Sequence, residues 1–225
     1  MKNFDLSDHV VRDLNSALHD AGASGDEFVV NNPDGKHNVA SGAMYPTTVE
    51  INGHVGYYCG GMNKNADITV NGNAGPGLAE NMMSGKITIN GNASQYCGAT
   101  AHGGLLIVKG DAAARCGISM KGVDIVVGGS IGHMSAFMAQ TGRLVVCGDA
   151  GDSLGDSLYE ARIYVRGTVA SLGTDCIEKS MDDEHKKELR ELLDSAGLDH
   201  DVEEFKRYGS ARNLYTFKID NASAY

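Results

Sequence analysis

Glycine recurs in this sequence at a fixed interval. Gly53, Gly72, Gly91, Gly110, Gly129, Gly148 and Gly167 stand 19 residues apart, six steps without a slip. A strict period of this size marks a chain built from stacked supersecondary units. Other columns keep the same clock. Three residues after each marker glycine stand Gly56, Gly75, Ser94, Ala113, Gly132, Gly151 and Ala170, all small. Seven after it come Gly60, Ala79, Gly98, Gly117, Ala136, Gly155 and Thr174. Two after it, Val55, Ala74, Ala93, Ala112, Ile131, Ala150 and Val169 are all apolar. Ahead of each later marker runs an alternating apolar pair, from Ile68 and Val70 to Ile163 and Val165. Such alternation describes a strand with one buried face.

A unit of 19 residues holds one or two short strands and no packed helix. Its apolar face is buried only by the units above and below. Coils stacked at about 4.8 Å make a rod roughly 30 Å long. Small residues at fixed columns suit corners, where backbones of adjacent coils meet closely. The sequence therefore predicts an all-β core: a right-handed parallel β-helix of about seven 19-residue coils, the hand following from the overwhelming preference of strand crossovers. A left-handed helix of six-residue steps does not fit that period. The period also disposes of a nucleotide loop. The stretch VNGNAGPG at 70–77 looks like a phosphate cradle in isolation, but its siblings INGNAS and CGDAGDSLG occupy the same corner. A phosphate loop would lead into a helix, and here another strand follows.

The layout expected is an N-terminal helical cap over residues 1–26, the β-helix over 27–176 and a helical and extended tail over 177–225. Val10, Val11, Leu14 and Leu18 form one helical stripe within 6–21, with Ser7 as N-cap and Gly22 as stop. That helix would cover the open edge of the first coil. Gly35 and Gly42 keep the seven-residue offset and predict an irregular extra coil. In the tail, Ser180 is read as the cap of a helix that ends at Gly197, followed by a short helix over DVEEFKRY and a strand over NLYTFKI. The tail is expected to dock on a neighbouring subunit or on the solenoid's own flank.

A net charge of -10 argues against nucleic acid or an anionic membrane as partner. The sequence has neither a signal-peptide core nor an apolar run of membrane-spanning length. Five cysteines do not suggest a disulfide framework. The expected setting is cytoplasmic.

Candidate chemistry is sparse. Cys59, Cys97 and Cys116 share a column with Leu78 and Leu154, which reads as a core position rather than a metal ladder. Cys147 falls in the column of Asn52, Asn71, Asn90 and Lys109, read as solvent-facing. His54, His102 and His133 occupy three different columns and form no stacked ligand set. The DDEH run at 182–185 lacks zinc-hydrolase spacing. Asp149, Asp152 and Asp156 lack that of a calcium loop. Met62, Met82, Met120 and Met138 read as core filler, and the tyrosines Tyr57, Tyr58, Tyr96, Tyr159 and Tyr164 as scattered. No catalytic, cofactor-binding or metal residue is assigned.

Units of the form strand–G-(N/D)-A-G-x-x-x-G-x-x-M-x-x-G, over roughly residues 45–176, resemble the GXGXG domain that closes the large subunit of glutamate synthase. Similar repeats occur in one of the subunits of formylmethanofuran dehydrogenase. Here the repeats are expected to stand free rather than fused behind catalytic domains. In that respect, and in the ending FKRYGSARNLYTFKIDNASAY, the chain is similar to the second subunit of methylamine–glutamate N-methyltransferase (N-methylglutamate synthase). The resemblance implies a non-catalytic structural subunit of a hetero-oligomer converting glutamate and methylamine to N-methylglutamate and ammonia. It implies two partners, an amidotransferase-like subunit and a glutamate synthase-like subunit carrying FMN and an iron–sulfur cluster, with no cofactor on this chain. The alternatives are a glutamate synthase-type or formylmethanofuran dehydrogenase-type subunit. A polysaccharide-active β-helix is disfavoured by the lack of tryptophan.

Overall fold

A computed structural model describes residues 1–212. Its strands are β1 (Lys2–Asp5), β2 (Glu27–Asn31), β3 (Thr48–Asn52), β4 (Asp67–Val70), β5 (Lys86–Ile89), β6 (Leu105–Val108), β7 (Lys121–Val127), β8 (Thr141–Val146), β9 (Arg162–Val165), β10 (Cys176–Lys179) and β11 (Lys206–Ser210). The α-helices are α1 (Val11–Leu18) and α2 (Asp183–Ala196). From β1 to β9 the strands pair in parallel and in sequence order, and the fold is a parallel β-solenoid. From β3 to β9 each strand sits 19 residues from its partner, as Ile68 on Ile87 and Leu144 on Ile163, apart from a shift at the start of β7, where Lys121 faces Thr141. The anticipated extra coil is present, with β2 paired in parallel to β3, Val30 beside Ile51. A second seam runs through single parallel bridges joining Val55, Ala74, Ala93, Ala112, Ile131, Ala150 and Val169. Inward-facing residues such as Ile51, Ile68, Ile87, Leu106, Ile125 and Leu144 are fully buried.

Between these seams the chain turns through a backbone pattern that the sequence did not advertise. Residues five, seven and nine after each marker have positive φ: Tyr58, Gly60 and Met62, then Gly77, Ala79 and Asn81, and so on through Ser153, Gly155 and Ser157. For a non-glycine residue this conformation costs roughly 1–2 kcal/mol. Hydrogen bonding offsets it. The N–H of Tyr58 donates to Pro76 O of the next coil at 3.0 Å, that of Gly60 to Val39 O of the preceding coil at 3.0 Å, and that of Met62 forward again to Glu80 O at 2.8 Å. Alternating conformations thus aim successive amides up and down the rod, leaving each one paired. The middle position faces inward, and a Cβ on Gly60 would lie 2.6 Å from Ile87 Cδ1. This is why that column holds glycine or alanine from Gly60 through Gly155. The marker glycines answer a different need: a Cβ on Gly72 would stand 2.5 Å from Gly53 O.

The N-terminal reading is corrected in detail. Residues 2–5 are not part of a helix but a strand paired with β2, because Leu6 is buried in the core and pulls the preceding segment onto the sheet edge. The helix begins only at Val11. Val10 is its N-cap residue, 61% exposed, and the Ser7 hydroxyl instead donates to Asp5 at 2.7 Å. Gly22 lies in a 3₁₀ turn over Ala21–Ala23. Leu14 and Leu18 are fully buried. Asn15 Nδ2 ties the helix to Asn38 O at 2.8 Å.

The tail is corrected as well. The cap of α2 is Asp182, not Ser180: its carboxylate accepts the His185 N–H at 3.0 Å in a capping box, and Gly197 closes the helix in the left-handed conformation. Asp182→Ala is expected to lower stability by about 1 kcal/mol, measured by urea denaturation. The short helix expected over DVEEFKRY is only a 3₁₀ turn at Val202–Glu204. The next residues form β11, antiparallel, inserted between β9 and β10. The final coil leaves β9 without a parallel successor, and β11 takes that edge. The strand expected over NLYTFKI lies outside the described residues.

Of the two docking options, α2 takes the solenoid's own flank. Ile107, Val126, Val145 and Tyr164 point outward from β6 to β9 and form a second core with Leu189, Leu192, Leu193 and Ala196. Three coils earlier the same column carries Glu50, Thr69 and Thr88. Cys147, expected to face solvent, is 1% exposed because this helical cover lies over it. Lys109 Nζ donates to Ala196 O at the helix C-terminus, where a cation also complements the helix dipole.

Candidate functional site

The corner after each marker glycine is a ladder of side-chain hydrogen bonds. His54 Nδ1 accepts from the Asn73 N–H at 2.9 Å, Asn73 Oδ1 from the Asn92 N–H at 2.8 Å, and Asn92 Oδ1 from the Asp111 N–H at 2.8 Å. Asp111, Ser130 and Asp149 continue it. This explains the Asn or Asp that follows the marker: it accepts the amide that the marker's corner leaves unpaired. Beside it Asn71 Nδ2 donates to Asn52 Oδ1, and Asn90 Nδ2 to Asn71 Oδ1, each at 2.8 Å. The polar corner couples coils, and these residues direct their donors and acceptors at one another.

The acidic cluster dissolves into the same pattern. Asp149 accepts from Thr168 N–H and Oγ1, Asp152 from Ser171 Oγ at 2.9 Å, and Asp156 from Ser157 Oγ at 2.7 Å. Hydrogen bonds from Thr168 hold the Asp149 carboxyl below its usual range. The DDEH run is the capping box of α2. Among the described residues no group of three or more His, Cys, Asp or Glu is placed to hold a metal ion.

All five cysteines are free thiols and buried. Cys97 and Cys116 stack with their sulfurs 3.3 Å apart. Burial pushes the Cys59 thiol up to about 12, and those of Cys147 and Cys176 to about 11. The folded chain is therefore expected to react with a thiol reagent at pH 8 far more slowly than the urea-unfolded chain, with absorbance stopped-flow as the measurement. Met82 and Met120 are core filler as expected, whereas Met62 and Met138 are 59% and 42% exposed. The φ of 56° and 51° at those two positions turns their side chains away from the core.

Two features escape the sequence reading. One is a charged cleft of about 530 Å³ between the outer face of β7–β9 and α2, lined in part by Asp124, Arg143, Glu160, Arg162 and Glu188. Arg143 donates through Nε to Asp124 Oδ1 at 2.6 Å. Arg162 Nη1 and Tyr164 Oη both donate to Glu188 at 2.6 Å, and Arg143 Nη1 lies 3.5 Å from the same carboxylate. The hydrogen bond to Asp124 raises the Arg143 pKa; burial, then Glu188, raises that of Tyr164. Asp124, Arg143, Arg162, Tyr164 and Glu188 thus satisfy one another, and their work is to fasten α2. Successive Asp124, Arg143 and Arg162 in one column are the signal the sequence holds, but Glu188 comes from a separate element.

The other feature is an aromatic recess of about 260 Å³ lined by Tyr57, Tyr58, Pro76, Gly77, Glu80 and Tyr96. The tyrosines look scattered because they differ in coil, but the 19-residue period puts Tyr58 and Tyr96 in one column. Tyr164 does not join them, being fully buried.

The chain matches no model of a known protein family. It is 64% identical to protein GlxC of Rhizobium meliloti (strain 1021) over 228 aligned residues, which cover all of both chains. The chain belongs to the GlxC family. The GlxC match takes in the N-terminal cap, the coils and the α2 tail together. No helix among the described residues is long and apolar enough to cross a membrane.

Proposed function

We propose that this GlxC-family chain is the structural GXGXG-type subunit of a glutamate synthase-like complex. The observation that carries the reading is the 19-residue register that every strand pair from β3 to β9 keeps, shifted only where Lys121 of β7 meets Thr141 of β8, with the G-(N/D) corner taken up by coil-to-coil hydrogen bonds. A rod held so tightly in register offers flat, stiff flanks on which catalytic partners keep a fixed separation. The full-length match to GlxC supports placing the whole chain in one family. In the finer form of the proposal the complex is N-methylglutamate synthase: glutamate and methylamine give N-methylglutamate and ammonia. An amidotransferase-like subunit and a synthase-like subunit with FMN and an iron–sulfur cluster carry the chemistry. A glutamate synthase-type assembly is the second reading, supported by the same repeat, and a formylmethanofuran dehydrogenase-type assembly the third.

The test is to isolate the native complex and the chain alone. The isolated chain is expected to be colourless and inactive with glutamate and methylamine. The complex is expected to show flavin absorbance and to form N-methylglutamate, and to lose that activity when this chain is stripped. Flavin on the isolated chain would overturn the structural role. Molybdenum or tungsten in the complex would overturn the synthase-like assignment.

A further inference from the structure

We propose that the recess between Tyr57, Tyr58, Tyr96 and Glu80 is a binding site for a compact alkylammonium cation. Three tyrosines line it. Tyr57 and Tyr58 stand at right angles, ring centroids 5.3 Å apart with an interplanar angle of 89°. The ring of His37 stacks on Tyr57 with centroids 3.5 Å apart, and its Nδ1 accepts the Tyr57 N–H at 3.2 Å. This backing fixes one wall. Tyr58 and Tyr96 occupy the same column two coils apart, roughly 10 Å along the rod. Both have positive φ, 59° and 64°, a conformation uncommon for a bulky side chain. Their amides are anchored to Pro76 O at 3.0 Å and Ala114 O at 3.1 Å, so both rings are presented from fixed backbone.

The gap between the two rings is occupied by a glycine. Gly77 takes the same column in the intervening coil, and a Cβ there would meet Tyr58 Cδ1 at 2.7 Å and Glu80 Oε2 at 3.0 Å. Any side chain at this position would enter the recess, and the Glu80 carboxylate reaches into the space left open. Among the described residues no cation lies within ion-pair distance of Glu80. The result is an unpaired, partly buried carboxylate beside three tyrosines and Pro76. Ring faces carry negative quadrupole potential, and with a carboxylate they favour a small organic cation over a neutral guest of the same shape. The row already holds one such contact outside the recess: the Arg115 guanidinium lies 5.7 Å from the Tyr96 ring centroid and donates to its hydroxyl at 3.2 Å.

A free amine and the tip of a lysine side chain present the same head group. The proposal stands on the recess alone, whether or not the assembly proposed above is correct. The full chain, with its tyrosine rings labelled with carbon-13, is titrated at constant ionic strength with methylammonium and, separately, with Nα-acetyl-lysine amide. tert-Butanol serves as the neutral control. The expected result is saturable shifts at the Tyr57, Tyr58 and Tyr96 rings with at least one of the two cations and none with the alcohol. The ratio of the two affinities identifies the source, free amine or side chain. Glu80→Gln, whose folding is checked by an unchanged amide spectrum, is expected to weaken binding about fivefold, and Tyr96→Leu about threefold. Absence of saturation with both cations, equal shifts from the alcohol, or full binding by Glu80→Gln would each overturn the proposal.

Discussion

Gly104→Val is expected to destabilise the solenoid by about 4 kcal/mol, a large fraction of the roughly 5–15 kcal/mol margin of an ordinary domain. Two costs add. The φ of +87° at this position is one that a β-branched residue adopts only with strain. A Cβ would also stand 2.6 Å from Gly85 O and 2.7 Å from Met82 Cε. The carbonyl belongs to the neighbouring coil's backbone and cannot swing aside as a side-chain tip would. Moving it breaks the parallel pairing of β5 with β6, in which Lys86 faces Leu105. Overpacking of this kind costs roughly 1–3 kcal/mol beyond the backbone term. Gly35→Ala is the matched control, since φ is +70° there and nothing lies within 4 Å of an added Cβ. It is expected to lose only about 1 kcal/mol. Urea denaturation of the two variants measures the difference, and equal losses would refute close coil approach as the reason for the glycines.

Glu188→Ala is expected to release α2 from the rod at a cost of about 3 kcal/mol. Its carboxylate is 14% exposed and is shared by Arg162, Tyr164 and Arg143. Removing it leaves the buried Tyr164 hydroxyl without its acceptor and two half-buried guanidinium groups facing each other, and breaking a shielded charge cluster is costlier than forming it is favourable. Hydrogen exchange reports where the loss falls. The amides of α2 are expected to lose protection while those of β3–β5 keep theirs, since those strands contribute no residue to the apolar cluster that α2 forms with β6–β9. Glu203→Ala, which removes an exposed pair with Lys186, is expected to change stability by no more than about 0.5 kcal/mol. If α2 keeps its protection in Glu188→Ala, the apolar seam of Leu189, Leu192 and Leu193 alone holds the helix.

The role of the repeat glycines shows how far periodicity carries an inference. Register between coils follows from the sequence because each unit buries its apolar face only in phase with its neighbours, and a slip of one residue would turn that face to solvent. The small column seven after the marker was legible for the same reason. The left-handed backbone on either side of it was not, because Tyr58, Met62, Arg115 and Met134 are residue types that carry no local preference for that conformation. Only hydrogen bonds between coils make it the better state.

By itself, then, the sequence determined the coil, its length and its in-phase stacking, since these rest on contacts that repeat every 19 residues. The tertiary structure alone decided which outward faces are covered and which stay open. Cys147 looks exposed within its column and is buried under an element some 40 residues away in the sequence. The edge beyond β9 is closed by β11 rather than by the strand that follows in the chain. Likewise Tyr57, Tyr58, Glu80 and Tyr96 become one recess only once three coils are stacked. Such contacts occur once, between elements far apart along the chain, and a single long-range pairing leaves no periodic trace to read.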